Sequence, residues 1–442
     1  MGLLNITRRN ALIGLGATAL ATRTGFAFAQ ASQPPITIVI NQSPWFASFQ
    51  ATVERYQSET GNVVNLDVNP FDGLLEKQRN SVRAAQGEYD ILILNSGWFA
   101  EMYFGGFLTA ISDIEPGFSL DPNLFTLGNT IYFDPETKTM TPAGKLMTMP
   151  IQPNVPLLYY RGDLYEQHGL KVAQTFDDLL NNAKALHNPP EMYGIVQRGA
   201  RGANAVSYDF YPYLFGMGGA LFRDQAAGDY TVVLDNAEGN AALDYYITLA
   251  REAGHPQTAS QDQAQVIQAM VTGRSGHASL VVAAWSQMDD PDKSAVVDKV
   301  EFAPTPHAPG LPPGPPLGHW LGGISHNVPD DRKRAAVEFF RWFQTRDAQM
   351  ATLEAGGIPL NASIYEDESL TTQRRYRWMP ALSAALPHAI NAYGFPEGPE
   401  VVAVLEVGLN RAIAGEIPVP DALNSMAADV RAIMEKYGYS TG

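Results

Sequence analysis

The sequence predicts an α/β fold of two lobes built on open, mostly parallel sheets. Three observations carry that prediction. Residues 35–95 alternate strand, helix, strand, helix, strand, which is the pattern of βαβ units. Ile91-Leu92-Ile93-Leu94 is an unbroken apolar run, as a strand buried on both faces requires. A chain of 442 residues exceeds what a single growing core accommodates.

The first 29 residues are set aside. Arg8 and Arg9 precede the apolar run ALIGLGATALAT, and Ala27-Phe28-Ala29 supplies a small-x-small cleavage pattern. TRRNAL matches a twin-arginine export signal, so a protein that leaves a bacterial cytoplasm for the periplasm is expected. Removing Arg8, Arg9 and Arg23 takes the count from 30 basic and 46 acidic residues to 27 and 46, a formal charge of −19. Such a charge disfavours nucleic acid and anionic lipid as partners. Cysteine is absent, which excludes disulfides, thiol catalysis and iron–sulfur ligation.

The elements follow in order. Ile36, Ile38 and Ile40 mark a strand that stops at Asn41-Gln42-Ser43-Pro44, and WFASFQATVERYQSETG continues as a helix ended by Gly61. Val64, Leu66 and Val68 alternate as a second strand, FDGLLEKQRNSVRAAQG is a second helix, and the buried strand ends at Asn95, Ser96 and Trp98. Open sheets bind ligands beyond the carboxyl ends of their strands, so Asn41, Gln42, Asn95, Ser96 and Trp98 are placed around one crevice. Strands at 146–150 and 155–160 lead into a second unit. Its helices are TFDDLLNNAKALHN, YDFYPYLFGMGG and NAEGNAALDYYITLAREAG, and its strand is MYGIVQRG. Residues 278–284 form another strand ending at Trp285. KVEFAPTP is a short strand expected to rejoin the first sheet, and 321–325 is a last strand after a proline-rich loop.

Known catalytic fingerprints are missing: no P-loop, no G-x-S-x-G and no helical H-x-x-x-H occurs. Asp177-Asp178 and Asp289-Asp290 fit helix caps, and His319 fits a structural role. Trp98, Tyr208, Tyr211, Trp285 and Trp320 fall at strand ends or helix starts, beside amides, an acid and glycines. A flat indole or phenol matches the apolar face of a sugar ring, and its hydroxyls need polar partners.

Together, MPIQPNVPLLYYRGDLYEQHGLKVAQTFDDLLNNAKAL, YDILILNSGWFAEMYFGGFLTAISD, GRSGHASLVVAAWS, LGGISHNVPDDRKRAAVEFFRWF and GGIPLNASIYEDESL resemble the family 1 extracellular solute-binding proteins. These are the capture components of ABC importers for sugars and polyols. The resemblance implies a periplasmic-binding-protein-like fold of the class II type with a multi-strand hinge. It divides the chain into a first lobe of residues 30–148 plus 286–344 and a second of 149–285 plus 345–442. It places Asn95, Ser96 and Trp98 in the first-lobe wall, Asn154 at the crossing, and Tyr208 and Asp209 on a second-lobe helix, with Asp209 accepting from two ligand hydroxyls. Trp285 and Trp320 join these, Gly322 and Gly323 become close approaches to ligand, and Asn361 stands where many relatives carry an arginine. The implied function is capture of a neutral sugar, sugar derivative or polyol for an ABC permease, by a monomer with no cofactor, no metal and no catalysis. The alternatives are a periplasmic carbohydrate-active enzyme, or a binding protein for a metal or an anion, the latter using Arg198 and Arg201.

Overall fold

The computed structural model describes residues 32–202 and 204–442, so the arginine pair and the cleavage pattern lie outside the described residues. The first sheet contains β1 (Ile36–Asn41), β2 (Val64–Asn69), β3 (Ile91–Asn95), β4 (Leu108–Thr109), β5 (Thr148–Gln152) and β10 (Trp320–Ser325). The second contains β6 (Pro156–Arg161), β7 (Tyr193–Val196), β8 (Ser275–Val281) and β9 (Val300–Ala303). In the first sheet the order is β2-β1-β3-β10-β4, with β5 also on β10; in the second it is β9-β6-β8-β7.

The α/β class and the strand–helix alternation appear as expected. β1 is parallel to both β2 and β3, and β7 is parallel to β8. The sheets are mixed rather than mostly parallel, because the strands that enter from the opposite sheet run the other way: β10 is antiparallel to β3, β4 and β5, and β6 is antiparallel to β8 and β9. Every residue of β3 is buried, as the apolar run demanded, since helices cover both of its faces.

Two assignments of chain to lobe are corrected. Val300–Ala303 does not rejoin the first sheet; it pairs with β6 in the second, Phe302 opposite Tyr159, where the rings meet at 4.7 Å. The helix Arg346–Glu354 belongs with the first sheet, packing on the helix Phe46–Thr60 through a buried Thr52–Thr352 hydroxyl pair at 3.0 Å. Both segments are short and apolar enough to suit either lobe, and only the tertiary pairing chooses.

Buried polar groups tie each sheet to its helices. Asp90, just before β3, accepts from Thr37 N–H at 2.7 Å and from Arg332 Nη2 at 2.6 Å. In the second sheet His277 is fully buried, its Nδ1–H donating to Gly194 O at 2.7 Å and its Nε2 accepting from the Tyr165 hydroxyl at 2.7 Å. Burial pushes the His277 imidazole down to about 4 from 6.5, because the charged form would lose water without gaining an acceptor.

An imidazole depressed in the folded state is protonated first in the unfolded chain. Stability is therefore lost as pH falls from 6.5 toward about 4. Urea unfolding between pH 6.5 and 5 is expected to show a decline that shrinks by about 1 kcal/mol per pH unit in His277→Gln, approaching the contribution of one proton.

Candidate functional site

The carboxyl ends of β1, β3 and β5 and the amino end of β10 lie along one edge of the first sheet, since Trp320 pairs with both Asn95 and Gln152. The matching edge of the second sheet is formed by Pro156 and Val281, which pair with each other, and by the loop after Val196. Between these edges lies a cavity of about 690 Å³, within the range of about 300–1,000 Å³ usual for small-molecule sites.

One wall is aromatic. Trp45 meets Trp320 at 5.7 Å with the rings tilted by 54°, and Phe71 contacts Trp320 edge-on at 6.0 Å. Trp98 lies behind them, 5.2 Å from Phe71 and 6.0 Å from Trp320. Its indole N–H donates to Gln78 Oε1 at 3.0 Å, and Gln78 donates onward to Ile93 O. Each such aromatic contact contributes about 0.5–1.5 kcal/mol beyond burial, so the wall is stiff before any ligand meets it.

The opposite side comes from the segment after β7 and the helices Ala205–Gly216 and Gln263–Val271. Arg198 is buried, with its guanidinium 5.6 Å from the Tyr208 ring centre and Nη2 donating to Gln263 Oε1 at 2.9 Å. Asn204, in a left-handed conformation at φ 56°, reaches across to Asn95 Oδ1 at 3.5 Å, so the lobes touch here. Glu406 holds this loop from below: its carboxylate accepts from Gly202 N–H at 2.6 Å, Ser207 N–H at 2.9 Å and the Ser207 hydroxyl at 2.7 Å. It thereby occupies the positive end of the helix Ala205–Gly216.

Asn41, Gln42, Asn95 and Ser96 line the cavity at the strand ends, and Asn154, Tyr208 and Trp320 line it with them. Several polar atoms of residues along the wall are buried without a partner among the described residues: Asn41 Oδ1, Ser43 Oγ, Trp45 Nε1, Asn154 Oδ1 and Arg198 Nε. Buried polar groups in native proteins are normally paired, and five unpaired ones around a single space suit a polar solute.

Six expected residues stand elsewhere. Trp98 supports the wall from behind, as described. Asp209 follows Tyr208 by one residue and so points about a quarter turn away on the helix. It accepts from Arg198 N–H at 3.0 Å and the Tyr246 hydroxyl at 2.7 Å, and these protein donors replace the ligand hydroxyls expected of it. Burial raises its carboxyl above the ordinary range, against the pull of Arg198 and both hydrogen bonds. Trp285 faces away between Ala283 and Gln287, which do line the cavity, and stacks on Trp378 at 5.3 Å with its N–H toward Gly357 O. Gly322 and Gly323 approach the protein's own side chains: a Cβ on Gly322 would meet Phe340 and Ile151 at 3.0–3.1 Å, and one on Gly323 would meet Leu108 at 2.7 Å. Asn361 caps the short helix Ala362–Tyr365 through Ser363 N–H at 3.1 Å.

Sequence reasoning missed Trp45, Phe71, Asn204, Gln263 and Gln287. Trp45 carried a signal, since it directly follows the strand-end run Asn41-Gln42-Ser43-Pro44. Asn204, Gln263 and Gln287 carried none, because amides in loops and helix starts look alike wherever they point. Among the described residues no group of three or more His, Asp or Glu side chains is arranged to hold a metal ion.

Residues 40–350 match the bacterial extracellular solute-binding protein family. A "probable amino-acid ABC transporter periplasmic-binding protein" of Sinorhizobium fredii is 24% identical over 301 residues, 67% of this chain and 66% of that relative. Among solved structures, a ribitol complex of an ABC transporter solute-binding protein from Agrobacterium radiobacter superposes with a TM-score of 0.79 at 21% identity, covering 91% of this chain and all of that one. A D-mannitol complex from Agrobacterium vitis gives 0.77 at 21% identity over 92% and 99% of the two chains. These superpositions show a common periplasmic-binding-protein-like fold.

Removing the Glu406 carboxylate strands three donors at the cavity rim. Glu406→Ala is expected to cost about 3 kcal/mol in urea unfolding and to raise hydrogen exchange in residues 200–207, whereas Asn361→Ala leaves ligand affinity unchanged by calorimetry.

Proposed function

Because the chain belongs to the bacterial extracellular solute-binding proteins, we propose that it captures a single sugar, sugar derivative or polyol between its lobes and delivers it to an ABC permease. The observation that carries this reading is the pairing of an aromatic wall with a set of amides. Trp45 and Trp320 offer apolar faces to a ring or a carbon chain, and Asn41, Gln42 and Asn154 line the same cavity, where amides can meet its hydroxyls. The known ligands of structural relatives, ribitol and D-mannitol, combine the same two surfaces.

Capture works through the two-sided lining. A solute that contacts both the first-lobe wall and the second-lobe loop binds the closed arrangement better than an open one, and so shifts the population toward closure. The permease's membrane subunits then have one shape to recognise. Turnover is not part of the proposal. Of the carboxylates that reach the cavity, Asp262 is engaged as a helix cap for Gln265 N–H at 3.0 Å, and Asp72 is exposed. Export by the twin-arginine route to a periplasm, and action as a monomer, complete the reading; among the described residues no helix is long and apolar enough to cross a membrane.

Titration of the mature protein with a panel of pentitols, hexitols, monosaccharides and disaccharides is expected to give one-to-one binding with a change in tryptophan emission. Trp45→Ala should weaken the best ligand about tenfold or more, the loss of roughly 1.4 kcal/mol of stacking. Absence of binding by every sugar and polyol, or release of product from a glycoside panel, overturns the proposal.

A further inference from the structure

Arg198 is the one buried charged side chain among the residues lining the cavity, at 4% exposure. Its surroundings bond the guanidinium through uncharged groups, while the charge of the buried Asp209 carboxylate acts on it without a direct ion pair. Gln263 takes Nη2, the Tyr208 ring lies against the flat face, and Nε is buried with no partner among the described residues. Asp209, the carboxylate nearby, takes the backbone N–H of Arg198 and the Tyr246 hydroxyl, and Arg198 makes no ion pair among the described residues. A guanidinium withdrawn from water and left unpaired is costly, and its planar fork suits a carboxylate.

The opposite wall carries a helix start, with the exposed Asp72 also on that side. The helix Phe46–Thr60 begins at the cavity with no side-chain cap and no acidic residue in its first turn. Trp45 Nε1 and Ser43 Oγ beside it are buried and unpartnered. The comparable end of the helix Ala205–Gly216 already holds a carboxylate, that of Glu406. Of the three helices that begin at this cleft, two are met by the protein's own acids, Glu406 and the cap Asp262, and Phe46–Thr60 is not.

We propose, building on the sugar-type reading above, that the solute is an acidic member of that class, an aldonic or uronic acid, in place of the neutral one expected from sequence. Its carboxylate sits against the Arg198 guanidinium, facing the start of the helix Phe46–Thr60. Its hydroxyls go to the amides of Asn41 and Asn154, and its carbon chain lies on Trp45 and Trp320. Arg198 is then the residue that sets specificity between acid and neutral analogue.

Calorimetry on the full mature chain tests this with matched pairs: D-gluconate against D-glucitol, D-ribonate against ribitol, and D-galacturonate against D-galactose. In at least one pair the acid is expected to bind about tenfold or more tighter than its neutral partner. Arg198→Gln should erase that ratio, and Arg198→Lys should keep part of it. If Arg198→Gln melts below the assay temperature, the wild-type ratios and Arg198→Lys decide. Neutral ligands that bind as well as or better than their acids overturn this inference and leave the sugar or polyol reading standing. Failure of both members of every pair, with a thermal shift from inorganic phosphate or a metal alone, overturns both.

Discussion

The strand Trp320–Ser325 is the constraint on which the rest depends. It completes the first sheet, yet the chain reaches it only after building the second, so the sheet on one side cannot close without the lobe on the other. The crossing segments are bonded to each other where they pass: Gly318 N–H donates to Asn154 O at 2.7 Å, and Ser96 N–H donates to His319 O at 3.1 Å. Because β10 runs against β3, its first residue arrives where β3 ends. That places Trp320 in the cavity wall beside Asn95 by backbone register alone.

The same passage explains why certain residues cannot be large or charged. A Cβ on Gly318 would lie 2.1 Å from the Tyr208 hydroxyl, so glycine lets the second-lobe helix rest on the returning chain. His319 is buried with Nε2 beside Thr130 Oγ1 at 3.0 Å, and burial pushes its imidazole down to about 3. The imidazole lies beside Phe99 in the first lobe, behind the cavity wall that its neighbours Gly318 and Trp320 line. Trp98 and Asp209 act one layer out in the same spirit: one backs the aromatic wall, the other anchors the backbone of Arg198.

What was legible in the sequence was what backbone periodicity controls. Strand ends converge wherever a βαβ unit forms, so Asn41, Asn95 and Ser96 could be placed from alternation and an apolar run. Side-chain direction on a helix was less accessible. Tyr208 and Asp209 are adjacent in sequence and separated by a quarter turn in space, which sends one into the cavity and the other into the lobe. Trp285 failed in the same way, lying between Ala283 and Gln287 on the opposite face of a helical turn. Gly322 and Gly323 were recognised as close approaches, but nothing local distinguishes an approach to ligand from an approach to Phe340 or Leu108. The lobe of Val300–Ala303 was illegible because a four-residue apolar strand satisfies any sheet edge, and only the unpaired side of β6 selected it.

A receptor of this kind must be rigid where it recognises and soft where it moves, and the distribution of satisfied groups separates the two. The loop at 200–207 would be the softest part of the wall, having a glycine at φ 94° and a left-handed asparagine, were it not for the buried carboxylate of Glu406 beneath it. Burial raises that carboxyl, and the Ser207 and Gly202 donors draw it back down, so the loop's order rests on bonds made wholly within the second lobe. Across the cleft the amide pair of Asn204 and Asn95 is long by comparison, at 3.5 Å. A pair of that length adds little to stability, so opening the cleft costs little there while each wall keeps its shape. Affinity must then come from the solute's own bonds to both walls, which makes closure report occupancy.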